Sequence, residues 1–175
     1  DLTNNLLDRY NLAPLKLEMV VGDVNVNQDN CQKLIPAYSN ALVKQAKNNK
    51  NIFALDADLI LDTGLIEFNN KYPERFIECG IAEQDMVSQA GGLALSGALP
   101  IVHSFACFLS TRPNEQIYNN ATENTKIIYV GSLAGLIPGG PGHSHQSVRD
   151  ISALSAIPNL FLLEPSCESE VELLL

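Results

Sequence analysis

The chain has 175 residues, 46% of them hydrophobic and 18% charged, a balance that fits one folded domain and not a disordered tract. Lys and Arg number 11 against 20 Asp and Glu, and the net charge of −9 argues against nucleic acid and anionic membranes as partners. No apolar run approaches the roughly 18 residues that a membrane helix needs, and Asp1–Asn5 lacks the basic start and apolar core of a signal peptide.

Residues 1–33 are polar, rich in Asn and weakly periodic, and read as a lead-in or linker segment. The domain proper is expected over 34–175. Leu34, Tyr38, Leu42, Val43 and Ala46 recur at helical spacing and predict a helix over 34–48. Asn51–Asp56 predicts a short apolar strand. Thr63 is placed to cap a helix that runs to about Asn70. Arg75–Cys79 reads as a second strand, Ile81–Leu95 as a long helix and Pro100–Phe105 as a third strand. A helix over Asn114–Thr122 and a strand over Lys126–Gly131 follow. After a loop rich in Gly and Pro over Ile137–Gly142 come a helix over Val148–Ala156 and a strand over Asn159–Leu163. A last helix from Ser169 is cut off by the chain end, so the domain is expected to be truncated at its C-terminus.

Short, nearly continuous apolar strands alternating with helices imply a sheet buried on both faces. The expected fold is α/β, a doubly wound and mainly parallel sheet with right-handed crossovers. In such folds ligands gather beyond the carboxyl ends of the strands, here the loops after Cys79, Phe105 and Gly131. Cys31, Cys79, Cys107 and Cys167 are widely spaced and read as reduced thiols of a cytoplasmic protein.

Three segments carry candidate chemistry. Glu83, in Gly80-Ile81-Ala82-Glu83-Gln84, lies in the first turn of a predicted helix, where an acid also simply suits the helix macrodipole. Gly91-Gly92 in that helix costs about 2 kcal/mol of propensity and implies either a close neighbour or a kink. His103-Ser104-Phe105-Ala106-Cys107-Phe108 ends a strand with two aromatic residues, which form either a flat wall for a heterocycle or part of the core. Gly139-Gly140-Pro141-Gly142-His143-Ser144-His145-Gln146 puts two imidazoles on a glycine-rich loop. They suit proton transfer or an ordinary exposed loop, and without a third ligand no metal site is assigned.

In this order the segments resemble the transketolase family of thiamine-diphosphate-dependent enzymes. Gly80-Ile81-Ala82-Glu83-Gln84 is similar to the family's (G/A)IAEQ stretch, and Ser104-Phe105-Ala106-Cys107-Phe108 to its S-T-F-x-x-F stretch. Gly142-His143-Ser144-His145-Gln146 resembles G-x-T-H-Q, and Ile157-Pro158-Asn159 and Glu164-Pro165-Ser166 resemble the segment that follows. The likeness implies the central, pyrimidine-binding domain of such an enzyme, which transfers a two-carbon ketol unit between small carbonyl or sugar substrates. It implies Glu83 as the acid that bonds the pyrimidine nitrogen, kept protonated in a pocket with few charges, and His145 as a catalytic histidine facing the substrate. It implies Phe105 and Phe108 as the cofactor's aromatic wall, and Asp58 as an aspartate near the cofactor.

The departures fall on the phosphosugar side. Pro36 stands where transketolases carry an arginine, Pro141 where they carry an aspartate, Ser132 or Leu133 near a histidine, and Asp62 near a serine. Arg112 and Arg149 are the local cations that can substitute, and a changed donor or acceptor is expected. Arg112 only approximates an arginine of deoxyxylulose phosphate synthases, which weighs mildly against that subfamily. The G-D-G…N motif that holds magnesium and diphosphate is absent from these 175 residues. The resemblance therefore implies a diphosphate-binding domain or subunit as partner, Mg²⁺ held by that partner, and a dimer. The β subunit of a 2-oxo acid dehydrogenase decarboxylase, a deoxyxylulose phosphate synthase-like enzyme and a non-catalytic assembly module stay open as alternatives.

Overall fold

A computed structural model describes residues 33–137 and 140–175. The expected lead-in therefore lies, apart from Lys33, outside the described residues. Helix α1 spans Leu34–Asn48, as its apolar spacing predicts, and buries Tyr38, Ala41, Leu42 and Ala46 along one stripe. Strand β1 (Ile52–Asp56) follows, then short helices α2 (Ile60–Thr63) and α3 (Ile66–Lys71), and strand β2 (Phe76–Glu78). Helix α4 (Glu83–Leu95) leads to β3 (Leu99–Phe105). Helices α5 (Ala106–Leu109) and α6 (Asn114–Thr122) lead to β4 (Ile128–Ser132). Short α7 (Asp150–Leu154) and α8 (Glu168–Leu174) complete the described chain.

The strands form one parallel sheet in the order β2-β1-β3-β4. Alternate residues of the central strands feed two separate cores. Ile52, Ala54 and Ile101 pack with Leu42, Phe68 and Val171, from α1, α3 and α8. Leu55 and Val102 pack with Met86, Val87, Leu109 and Ile117, from α4, α5 and α6. Helices thus cover both faces, and the doubly wound α/β expectation holds. Winding reverses between β1 and β3, so the crevice beyond their carboxyl ends is the favoured place for a ligand.

Two expectations need correction, and a third, the close neighbour of the glycine pair, holds for one glycine alone. Thr63 does not cap a long helix but ends α2. Its hydroxyl bonds Asp56 Oδ1 at 3.1 Å and the Leu59 carbonyl at 3.0 Å, and Gly64 then breaks the run with φ 81°. Residues 159–163 form no strand: this apolar run has no ladder partner, and Phe161 is 88% exposed. Gly91 and Gly92 differ in role. A Cβ on Gly91 would lie 2.4 Å from Asn120 Oδ1, whereas one on Gly92 would meet nothing within 4 Å.

Candidate functional site

The chain leaves β2 through Gly80, whose φ of 67° suits glycine, and the Ala82 amide bonds back to the Gly80 carbonyl at 2.7 Å. This tight turn sets Glu83 as the first residue of α4, with its side chain only 5% exposed. A carboxylate so buried requires a partner. Arg112, in the loop between α5 and α6, donates through Nη1 to Glu83 Oε1. The expected surroundings with few charges are therefore corrected by one guanidinium. The same guanidinium lies over Phe108, its carbon 3.8 Å from the ring centroid.

Phe108 also meets Phe105, with centroids 5.8 Å apart, and the edge-on ring of His145 at 5.1 Å. His145 lies 6.2 Å from Phe105. The three rings form a continuous aromatic cluster, tied to the buried acid through the guanidinium over Phe108. A two-residue antiparallel bridge, Gly135 with Ser147, folds the loop after β4 back on itself. A tight helical turn over Gly142–Ser144 then delivers His145, whose Nδ1 is 2.9 Å from Ser144 Oγ. His143 on the same turn is exposed and makes none of these ring contacts.

Asp58 belongs to a neighbouring group. Its φ is 60°, and its amide donates to Glu78 Oε1 at 2.9 Å. The Gly80 amide donates to the same oxygen at 2.8 Å. Glu78 thus ties the loop after β1 to the loop that launches Glu83. Beneath it Asp56 is fully buried, with Oδ2 accepting from the Leu59 amide at 2.6 Å. Burial pushes the Asp56 carboxyl up to about 6 despite that bond. On the adjacent strand His103 is equally buried, and burial pulls its imidazole down to about 4. Its Nδ1 donates to the Leu55 carbonyl at 3.1 Å, so Nε2 accepts from the Tyr38 hydroxyl at 2.5 Å.

The structure therefore gathers Glu83, Phe105, Phe108 and His145, and places Asp58 at the same end of the sheet through Glu78. Sequence reasoning missed the clasp made by Glu78 and took Arg112 as a substitute anion binder. Its only sequence signal was a lone cation in Thr111-Arg112-Pro113, near two aromatic residues. Arg149 is exposed, and Asp62 and Pro36 are exposed on helices α2 and α1. Cys79, Cys107 and Cys167 are free thiols, and burial raises the first two. No described helix is long and apolar enough to cross a membrane.

Residues 33–175 match the family described as the transketolase pyrimidine binding domain. The chain is 36% identical over 135 residues to a 1-deoxy-D-xylulose-5-phosphate synthase of Clostridium acetobutylicum, covering 77% of this chain and 22% of that protein. It is 33% identical over 170 residues to the synthase of that name from Treponema pallidum, covering 97% of this chain and 26% of the other. A solved split-gene transketolase, described as an inactive β4 tetramer, superposes with a TM-score of 0.67 at 33% identity, over 78% of this chain and 44% of that one. Transketolase from Leishmania mexicana superposes with a TM-score of 0.73 at 24% identity, over 79% of this chain and 22% of that one, and speaks for the fold alone. The chain spans about a quarter of the length of the curated relatives it matches. A family match over all the described residues, on a parallel sheet wound in both directions, places this chain in the transketolase pyrimidine-binding domain family.

Proposed function

We propose that this chain supplies the pyrimidine-binding half of a thiamine-diphosphate active site, in a transketolase-like enzyme that transfers a two-carbon ketol unit. The observation that carries the reading is Glu83, buried at the start of α4 and joined through the Arg112 guanidinium to the ring of Phe108, which itself meets Phe105 and His145. A flat heterocycle with a basic ring nitrogen fits a buried carboxyl next to an aromatic wall. Phe108 and Phe105 would pack on the pyrimidine and exclude water from it. Glu83 would bond its ring nitrogen, hold a proton there and orient the ring. His145, beside both aromatic residues, would hold or pass a proton at the substrate. Asp58 would stand close to the cofactor at the edge of the crevice. When bound, thiamine diphosphate supplies a carbon nucleophile that the side chains lack.

The diphosphate and its Mg²⁺ would be held by a partner domain or subunit, in a dimeric cytoplasmic assembly. The similarity to a split-gene transketolase supports a partner on another chain, and the short span against the curated relatives supports one in the same polypeptide. A second reading, a 1-deoxy-D-xylulose-5-phosphate synthase, is favoured by the name its curated relatives carry. Donor choice separates the two. A transketolase uses a ketose donor and releases an aldose, whereas the synthase consumes a 2-oxo acid and releases carbon dioxide.

The test is turnover of the assembled enzyme with both donor classes, wild type against Glu83→Gln. Loss of about 100-fold or more is expected for a missing acid–base group. Turnover unchanged by the substitution would remove Glu83 from the cofactor site.

A further inference from the structure

We propose that Arg112 is a latch on the pyrimidine site, a residue that sets the site's affinity by occupying Glu83 and Phe108 until a flat heterocycle displaces it. The inference rests on the pyrimidine-binding reading above. Its basis is a coincidence of surfaces. The guanidinium bonds Glu83 through Oε1 and lies 3.8 Å over the Phe108 ring. A planar aminopyrimidine presents a nitrogen for the first group and a π face for the second. An arginine fork satisfies both because it is planar and stacks on aromatic faces. Cation and heterocycle therefore compete for one acid and one ring.

Exposure shows which partner moves. The Glu83 side chain is 5% exposed and the Arg112 side chain 41%. Arg112 can swing into water at little cost, whereas Glu83 has no such exit. The backbone around Arg112 is pinned. The Thr111 and Arg112 amides both bond the Phe108 carbonyl, at 3.2 and 2.9 Å, and buried Pro113 follows. Release is therefore a rotation of one side chain and leaves the loop in place. The ion pair meanwhile compensates a buried charge that would otherwise stand alone. The sequence reading of Arg112 as a substrate-phosphate binder gives way to this role.

The test titrates the full 175-residue chain with 4-amino-5-hydroxymethyl-2-methylpyrimidine, an uncharged probe, by calorimetry. Arg112→Met, which fills the space without pairing, is expected to bind about ten-fold tighter than wild type. The guanidinium nitrogen resonances of wild-type Arg112 are expected to move to free-arginine positions as the probe saturates. Equal or weaker binding by the methionine variant, with wild type binding normally, overturns the latch and leaves the pyrimidine site standing. Resonances unmoved at saturation overturn it too, and need no variant to fold. Absence of binding by both chains at millimolar probe instead rejects the pyrimidine reading, and the latch with it.

Discussion

Asp56 and His103 are paired residues on neighbouring strands, both fully buried, and burial moves their proton affinities in opposite directions. The Asp56 carboxyl rises to about 6 and the His103 imidazole falls to about 4. Between about pH 4 and 6 the folded chain holds a proton on Asp56 that the unfolded chain has released, so this group makes stability fall as pH rises. Over the same interval the unfolded chain protonates a histidine that the fold keeps neutral, so His103 makes stability rise with pH. The two slopes offset each other. Denaturant midpoints of wild type are expected to stay nearly level from pH 4 to 6. Asp56→Asn is expected to lose stability on acidification, and His103→Gln to lose it on going towards neutrality. A wild-type slope retained in both variants would show that neither group titrates as its burial dictates.

The glycine pair in α4 predicts opposite outcomes for the same substitution. Gly91→Ala drives a Cβ to within 2.4 Å of Asn120 Oδ1. Asn120 is buried, and its Nδ2 bonds the Val87 carbonyl at 3.0 Å and the Tyr129 hydroxyl at 3.3 Å. Moving it disturbs the α4–α6 seam, and a loss of about 1–3 kcal/mol is expected. Gly92→Ala meets open space in a helix interior, so a gain of up to about 1 kcal/mol is expected from propensity alone. Chemical denaturation of the two variants side by side checks both signs.

Legibility in the sequence followed the range of the forces involved. Helices α1 and α6 begin and end where local spacing puts them, because a 3.6-residue stripe is written in consecutive residues. The run 159–163 carries the same apolar signal as the four strands but forms none, because a strand is made by pairing with a distant edge, and an apolar run alone does not dictate that pairing. Glu83, Phe105, Phe108 and His145 were found through motif likeness, and only the fold brings them together. Arg112 reaches Glu83 across 29 residues and Tyr38 reaches His103 across 65, separations with no periodic trace. In the sequence Glu78 reads as one more strand residue. Its two amide contacts depend on left-handed backbone at Asp58 and Gly80, which the neighbouring residues do not dictate.

That Glu78 clasp separates acceptor chemistry from charge. A single oxygen receives the amides of Asp58 and Gly80, and an amide oxygen can do the same. Glu78→Gln is therefore expected to keep both loops in place, while Glu78→Ala frees two donors and lets them move. For Glu78→Ala, amide exchange at Asp58 and Gly80 should quicken by about ten-fold or more, the loss of about 1.4 kcal/mol of local protection. Equal exchange in the alanine and glutamine variants would mean that the two turns hold themselves without the carboxylate.

Phe108 is the ring on which the other parts of the site converge, touching Arg112, Phe105 and His145 at once. Phe108→Ala removes both the platform under the guanidinium and the wall beside the buried acid. Two effects then oppose each other: Arg112 is held less firmly, and a heterocycle has less to pack on. Lost burial and stacking together amount to about 1–3 kcal/mol, which exceeds the roughly 0.5–1 kcal/mol of a half-exposed cation–π contact. The net expectation is weaker binding of thiamine diphosphate by the assembled enzyme, by up to about 2 kcal/mol or roughly 30-fold at the stated energies. Phe108→Leu, which keeps bulk but no ring face, should fall between. Calorimetry on the two variants and wild type gives the order. Should alanine bind as tightly as phenylalanine, the ring is part of the core and the heterocycle sits elsewhere.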